Sequence, residues 1–183
     1  MFVALDLPSE VRGHLLAWGA RALTDIPGVR LQRPEAMHVT LCFLGGQPAE
    51  EAGAIADAMR RAVGSRVAPS VTSGAGTWLP PRRPRAAAVE LVDDGGELAA
   101  LQADVATALS VGGWYEPERR SFLAHVTVAR IGRSGLRHPP EHPAPPTVPV
   151  IAPSVSLYRS HTGASGARYE PLATVGLLRR DLA

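Results

Sequence analysis

Two histidines stand in the same tetrapeptide pattern, His38-Val39-Thr40-Leu41 and His125-Val126-Thr127-Val128, 87 residues apart. Imidazole holds or releases a proton near neutral pH, its ordinary pKa being about 6.5, so two of them aimed at one place can move two protons in one reaction. Each is followed two residues later by a threonine, whose hydroxyl can donate to an anionic oxygen. One imidazole would take a proton from an attacking oxygen and the other would give one to a departing oxygen. The hydroxyls would meanwhile hold the non-bridging oxygens, a division of labour that suits phosphodiester chemistry without a metal. A lone His-x-Thr in a strand marks no more than a polar face; two copies of the same parity, in corresponding places, are a motif.

For that chemistry the four side chains must share a surface. Residues 37–46 (MHVTLCFLGG) are rich in β-branched and aromatic types and end in paired glycines, and 122–132 (FLAHVTVARIG) have the same character, so each copy falls in a strand. Alternation puts His38 and Thr40 on one face and Val39, Leu41 and Phe43 on the other; His125 and Thr127 likewise oppose Val126 and Val128. The apolar set can pack beneath helices. The polar set faces a groove, because burying two imidazoles and two hydroxyls without partners would cost on the order of several kcal/mol. Strict alternation also turns Phe43 and Arg130, each five residues after its histidine, away from the groove unless the strands bulge or end there.

Other elements frame these strands. Residues 1–7 form an apolar run stopped by Pro8, a buried strand, with Ser9 as N-cap of a helix to about Leu23. A short segment at 29–33 follows. Ile55, Met59 and Val63 step by four within a helix at 49–64, and Leu98, Leu101, Val105 and Leu109 mark another at 96–111. Strands at 71–78 and 86–92 flank the turn LPPRRPR (79–85). The stretch 133–149 carries six prolines and reads as a surface loop that need not adopt one conformation; strands at 150–160 and 168–178 close the chain. Helices and strands alternate and the second half re-enacts the first, so an α+β fold is expected, a mixed sheet with helices packed on one side, in one domain spanning 1–183.

With the paired motif, the opening FVALDLP (2–8), FLG after the first copy, AR after the second and the closing SLYRS (156–160), the chain resembles the 2H phosphoesterases over nearly its whole length. Within them it is most similar to the RNA 2',3'-cyclic phosphodiesterases, also called 2'-5' RNA ligases. The resemblance implies two pseudo-symmetric lobes, each a mostly antiparallel sheet with helices on its outer face, enclosing a central groove. It implies a catalytic pair His38 and His125, substrate-binding Thr40 and Thr127, an Arg130 that contacts the phosphate, a Phe43 that stacks near the nucleobase, and no cofactor or metal. The implied reaction opens a 2',3'-cyclic phosphate on an RNA end to a 2'-phosphate, the RNA being a tRNA fragment or a cyclic nucleotide. Its reversal, 2'-5' ligation, would use the same histidines, and a non-catalytic RNA-end-binding protein is the alternative of a different class. Two features depart from the pattern: Ala124 stands where many relatives carry proline, and the proline-rich loop is expected to reshape one wall of the groove.

Composition constrains the alternatives. No apolar run approaches the roughly 20 residues of a membrane helix, and the N-terminus lacks a basic segment ahead of its apolar stretch, so a cytoplasmic protein is expected; a monomer is the expectation for its assembly. The net charge is +2 and every one of the 19 basic residues is an arginine, a side chain that pairs phosphate bidentately. The Arg82, Arg83 and Arg85 cluster fits a solvated turn as well as an RNA-backbone contact. Cys42 shares the parity of His38 but reads as a small buried hydrophobe rather than a nucleophile. His138 and His142 in HPPEH lack cysteine partners and sit among prolines, which argues against zinc. Neither a P-loop nor a dinucleotide fingerprint is present.

Overall fold

The computed structural model describes residues 1–132, 136, 138–163 and 166–179. Nine strands and three α-helices follow in the order β1 (Phe2–Asp6), α1 (Ser9–Ala22), β2 (Val29–Leu31), β3 (His38–Phe43), α2 (Ala52–Val63), β4 (Ser70–Leu79), β5 (Ala86–Val92), α3 (Glu97–Val111), β6 (His125–Ile131), β7 (Pro149–Ile151), β8 (Ser154–Gly163) and β9 (Gly166–Gly176). The strands run β7-β4-β5-β6-β3-β1-β8-β9, with β2 paired to β6, and every named pair is antiparallel.

The sheet has two arms, β7-β4-β5-β6 with β2, and β3-β1-β8-β9. They meet at one residue pair, Val39 with Val126. A junction this short lets the two motif strands diverge on either side of it and open a groove between the arms. The apolar run of β1 is explained by its central place, since all five of its residues are buried. The helical faces land as the periodicities require: Ile55, Met59 and Val63 of α2, and Leu98, Leu101, Val105 and Leu109 of α3, are all buried in one core with Val39, Val126 and Val128. In α1 the chain comes so close to the second motif strand that a Cβ on Gly19 would stand 2.7 Å from Val128.

Several boundaries differ from those the sequence suggests, the last strand, for one, running Gly166–Gly176. Helix α1 begins at Ser9 with Pro8 as its N-cap and no side-chain capping bond, so Ser9 is not the cap. Residues 49–51 form a 3-10 turn ahead of α2, and the run 150–160 divides into β7 and β8 at Ala152-Pro153.

The proline-rich stretch lies partly outside the described residues, at 133–135 and 137. Its described part is held to the rest of the fold by side chains. The Trp18 indole donates to the Pro143 carbonyl at 2.9 Å, the Trp78 indole to Pro140 at 3.0 Å, and the Ser73 hydroxyl to Pro146 at 2.6 Å while accepting from the Val148 amide at 2.8 Å. His142 packs edge-on against both Trp18 and Trp78. A Cβ at Gly76 would sit 2.2 Å from the His142 ring, so the strand can pass beneath that ring only as glycine.

Candidate active site

The two motif strands share one irregularity. In β3 the register against β1 passes from Val3 opposite Cys42 to Ala4 opposite Thr40, leaving Leu41 as the extra residue. In β6 the register against β5 passes from Ala87 opposite Ala129 to Ala88 opposite Thr127, leaving Val128. Each strand therefore carries a β-bulge just after its threonine, and the exposure repeats: His38, Thr40 and Phe43 lie on the open side while Val39, Leu41 and Cys42 are buried, and His125, Thr127 and Arg130 are open while Val126, Val128 and Ala129 are buried. The bulge reverses the parity beyond it. Phe43 and Arg130, which unbroken alternation would turn away, both line the groove with the two histidines and two threonines. The same reversal takes Cys42 into the core, where burial pushes its thiol up to about 12.

Antiparallel pairing of Val39 with Val126, continued by one residue each way, sets Thr40 across from His125 and Thr127 across from His38. Each half thus contributes a histidine and receives a threonine from its neighbour. The rings are anchored alike. His125 Nδ1 lies 2.8 Å from the Leu123 carbonyl, which can only accept, so Nδ1 carries the proton and Nε2 is left for the groove. His38 bonds the backbone of Ala36, also two residues upstream, and its Nε2 lies 3.1 Å from the Thr40 hydroxyl. Across the neighbouring strand each histidine faces a carboxyl residue, Asp6 for His38 and Glu90 for His125.

His38 is the more enclosed ring. It stacks on Phe2 at a centroid distance of 4.8 Å and meets Tyr169 edge-on at 5.2 Å. Burial pushes its pKa down to about 4, with Arg130 and His125 adding to the effect and the Ala36 bond and Asp6 opposing it. A neutral His38 is therefore the resting form of the free protein near neutral pH.

The groove has a volume of about 1150 Å³. Of the three clustered arginines, Arg85 reaches its lining and Arg82 and Arg83 do not. Arg120, held to the Glu118 carboxylate, lines it too. Among the described residues of the proline-rich loop none does, so the expected reshaping of this wall is not seen in them. The wall is instead α3 and the segment after it, including Gln102, Ala106, Ser110, Tyr115 and Phe122. Gln102, Ala106 and Ser110 recur every four residues, a second face of α3 that the stronger leucine periodicity masks. Asp6 and Tyr158, which the paired motif does not point to, lie beside His38 without lining the groove. His142 is enclosed by tryptophans and His138 is exposed. Among the described residues no group of three or more His, Cys, Asp or Glu side chains could hold a metal ion, and no helix is long and apolar enough to cross a membrane.

Residues 5–87 match the family described as LigT like Phosphoesterase. The chain is 31% identical, over 97% of its length, to an RNA 2',3'-cyclic phosphodiesterase of Geobacillus stearothermophilus, and spans 57% of that protein's length. It is 29% identical to the RNA 2',3'-cyclic phosphodiesterase of Archaeoglobus fulgidus, over 73% of each chain. The crystal structure of E. coli LigT complexed with 3'-AMP superposes with a TM-score of 0.73 at 26% identity, covering 96% of both chains. Fold, family match and relatives agree with the doubled motif, and the chain carries a LigT-like phosphoesterase domain of the 2H phosphoesterase superfamily.

Proposed function

We propose that the protein hydrolyses the 2',3'-cyclic phosphate at an RNA end to a 2'-phosphate, with His38 and His125 as the proton-transferring pair. The observation that carries this reading is the Val39–Val126 junction, which turns two copies of one motif into a single groove with a histidine and a threonine on each side. The names of the two relatives support the substrate, and the 3'-AMP held by E. coli LigT supports a nucleotide in a groove of this fold.

In the proposed reaction the cyclic phosphate lies between the imidazoles, with its non-bridging oxygens on the Thr40 and Thr127 hydroxyls. Water attacks phosphorus opposite the 3' oxygen. One imidazole takes the water's proton as the new P–O bond forms, and the other gives its proton to the 3' oxygen as that bond breaks. The two then exchange protons with solvent to regenerate the starting state. Thr40 hydrogen bonds His38 in the free protein and turns to the phosphoryl oxygen when substrate enters. Arg130, exposed at the groove, offsets the charge that grows on the phosphoryl group. Phe43, 66% exposed, offers a ring on which a base can stack.

The test is an RNA oligonucleotide ending in 2',3'-cyclic phosphate, incubated with the protein in excess EDTA and resolved against 2'- and 3'-phosphate standards. A 2'-phosphate product is expected. A 3'-phosphate, or no ring opening, refutes the reading.

A further inference from the structure

Two segments from opposite ends of the chain, residues 2–8 and 154–160, meet on the flank of His38. Asp6 lies directly across from His38 on β1 and is only 8% exposed. One of its carboxylate oxygens accepts the Ser154 and Ser156 hydroxyls at 2.6 Å each, and the other accepts the Tyr158 hydroxyl at 2.7 Å. Burial and Asp6 push Tyr158 up to about 12, so that hydroxyl keeps its proton and donates. The Tyr158 ring stacks on Phe2 at 5.3 Å, Phe2 stacks on His38 at 4.8 Å, and Tyr169 closes the stack edge-on to both Phe2 and His38. Among the described residues Asp6 has no ion-pair partner. A carboxylate this little exposed, held by three hydroxyls directly across from a groove histidine and with no ion-pair partner among the described residues, points to a use beyond closing the strand.

We propose that Asp6 is a positioning residue for His38: locked by Ser154, Ser156 and Tyr158, it fixes the ring stack that orients the imidazole and supplies the negative charge that balances His38 when it carries a proton. This rests on the role proposed above for His38. The charged and titratable groups around that ring are Asp6 on β1, Tyr158 on β8, Tyr169 on β9, and Arg130 and His125 on β6. Asp6 is the anion among them, set against Arg130. Its three hydroxyl partners hold it without competing for the imidazole, so its influence on His38 is through charge and ring geometry rather than a direct bond.

Asp6→Asn keeps the shape and removes the charge, and Tyr158→Phe keeps the ring and removes its anchor. Both are measured with an RNA oligonucleotide bearing a 2',3'-cyclic phosphate, and the His38 ring is titrated by NMR. For Asp6→Asn, kcat should fall at least about tenfold, the scale on which a misplaced proton-transferring group is felt. KM should stay near the wild-type value, and His38 should titrate at lower pH. Tyr158→Phe should lose less kcat, again at little cost in KM. An Asp6→Asn protein with unchanged kcat and unchanged His38 titration, but a lower thermal midpoint, would show the cluster to be structural and overturn the proposal. If Asp6→Asn does not fold, Tyr158→Phe decides on the same two readouts. If the wild type opens no cyclic phosphate, the functional reading fails, yet the His38 titration still decides whether Asp6 is coupled to that ring.

Discussion

The enclosure of His38 can be measured as a loss of stability in acid. An unfolded chain presents His38 with an ordinary pKa of 6.5, and the folded protein holds it at about 4, mainly through burial. Between those values the unfolded chain binds a proton that the folded protein refuses. Stability therefore rises with pH across the window, and it is lost as pH falls from 6.5 toward 4. At about 1.4 kcal/mol per unit the difference amounts to about 3 kcal/mol. For a chain of this size that is on the order of 10 °C in thermal midpoint. Other groups also titrate there, so the measurement is a comparison: urea unfolding of the wild type and of His38→Gln at pH 7 and at pH 4. Glutamine does not titrate, so the wild type should lose about 3 kcal/mol more than the variant between the two pH values, the contributions of the remaining groups cancelling. NMR titration of the His38 ring should place its midpoint well below the ordinary value, and inorganic phosphate in the groove should raise it, since an anion favours the imidazolium. A stability difference that does not change with pH would refute the claim that the ring is desolvated between Phe2 and Tyr169.

Three further outcomes are expected. His38→Ala and His125→Ala should each lower the rate of ring opening by about 10² to 10⁴, with Thr40→Ala and Thr127→Ala losing less, in single-turnover assays. Ring opening should continue in excess EDTA, since no metal-ligating cluster is found among the described residues; activity that vanishes and returns with a divalent ion would rule out the two-histidine mechanism. Gly76→Val should drive a side chain into the His142 ring and release the proline-rich loop from Trp18 and Trp78, at about 1 to 3 kcal/mol of stability and with a red shift of tryptophan emission, while kcat stays near wild type because His142 and the other described residues of that loop do not line the groove.

The motif strands were legible because their alternation is clean up to the threonine, and α2 and α3 because their buried side chains recur with helical spacing. The phase change beyond each threonine was harder to read. Leu41-Cys42 and Val128-Ala129 are each two apolar residues in a row, which is the mark a bulge leaves, but cysteine and alanine are small enough to be read on either face. Only the pairing partner decides between a bulge and a strand that ends, and β1 and β5 are remote in sequence. The pinned loop was illegible for a related reason. Prolines give no periodicity, and their carbonyls accept from indoles that stand 125 residues away at Trp18 and 62 at Trp78. Asp6 carries no signal of its own within the run 1–7, because its three partners, Ser154, Ser156 and Tyr158, arrive about 150 residues later.

Repetition of the strand places the groups but does not assign their roles. Two imidazoles in identical surroundings share one proton near their common pKa and either could be the base, so the motif alone does not say which accepts a proton and which gives one. The two strands match in motif, bulge, the ring's bond to the backbone two residues upstream, and the carboxyl residue across the neighbouring strand. The difference lies in what packs on each ring. His38 is closed in by Phe2 and Tyr169, with Tyr158 beyond them, and is held neutral by burial. Among the described residues no aromatic ring packs on His125. The arms of the sheet thus supply equivalent positions, and the aromatic residues of β1, β8 and β9 make those positions unequal. On this view the family-like segments at the two ends of the chain serve the same groove as the histidines, by setting one of the two apart from the other.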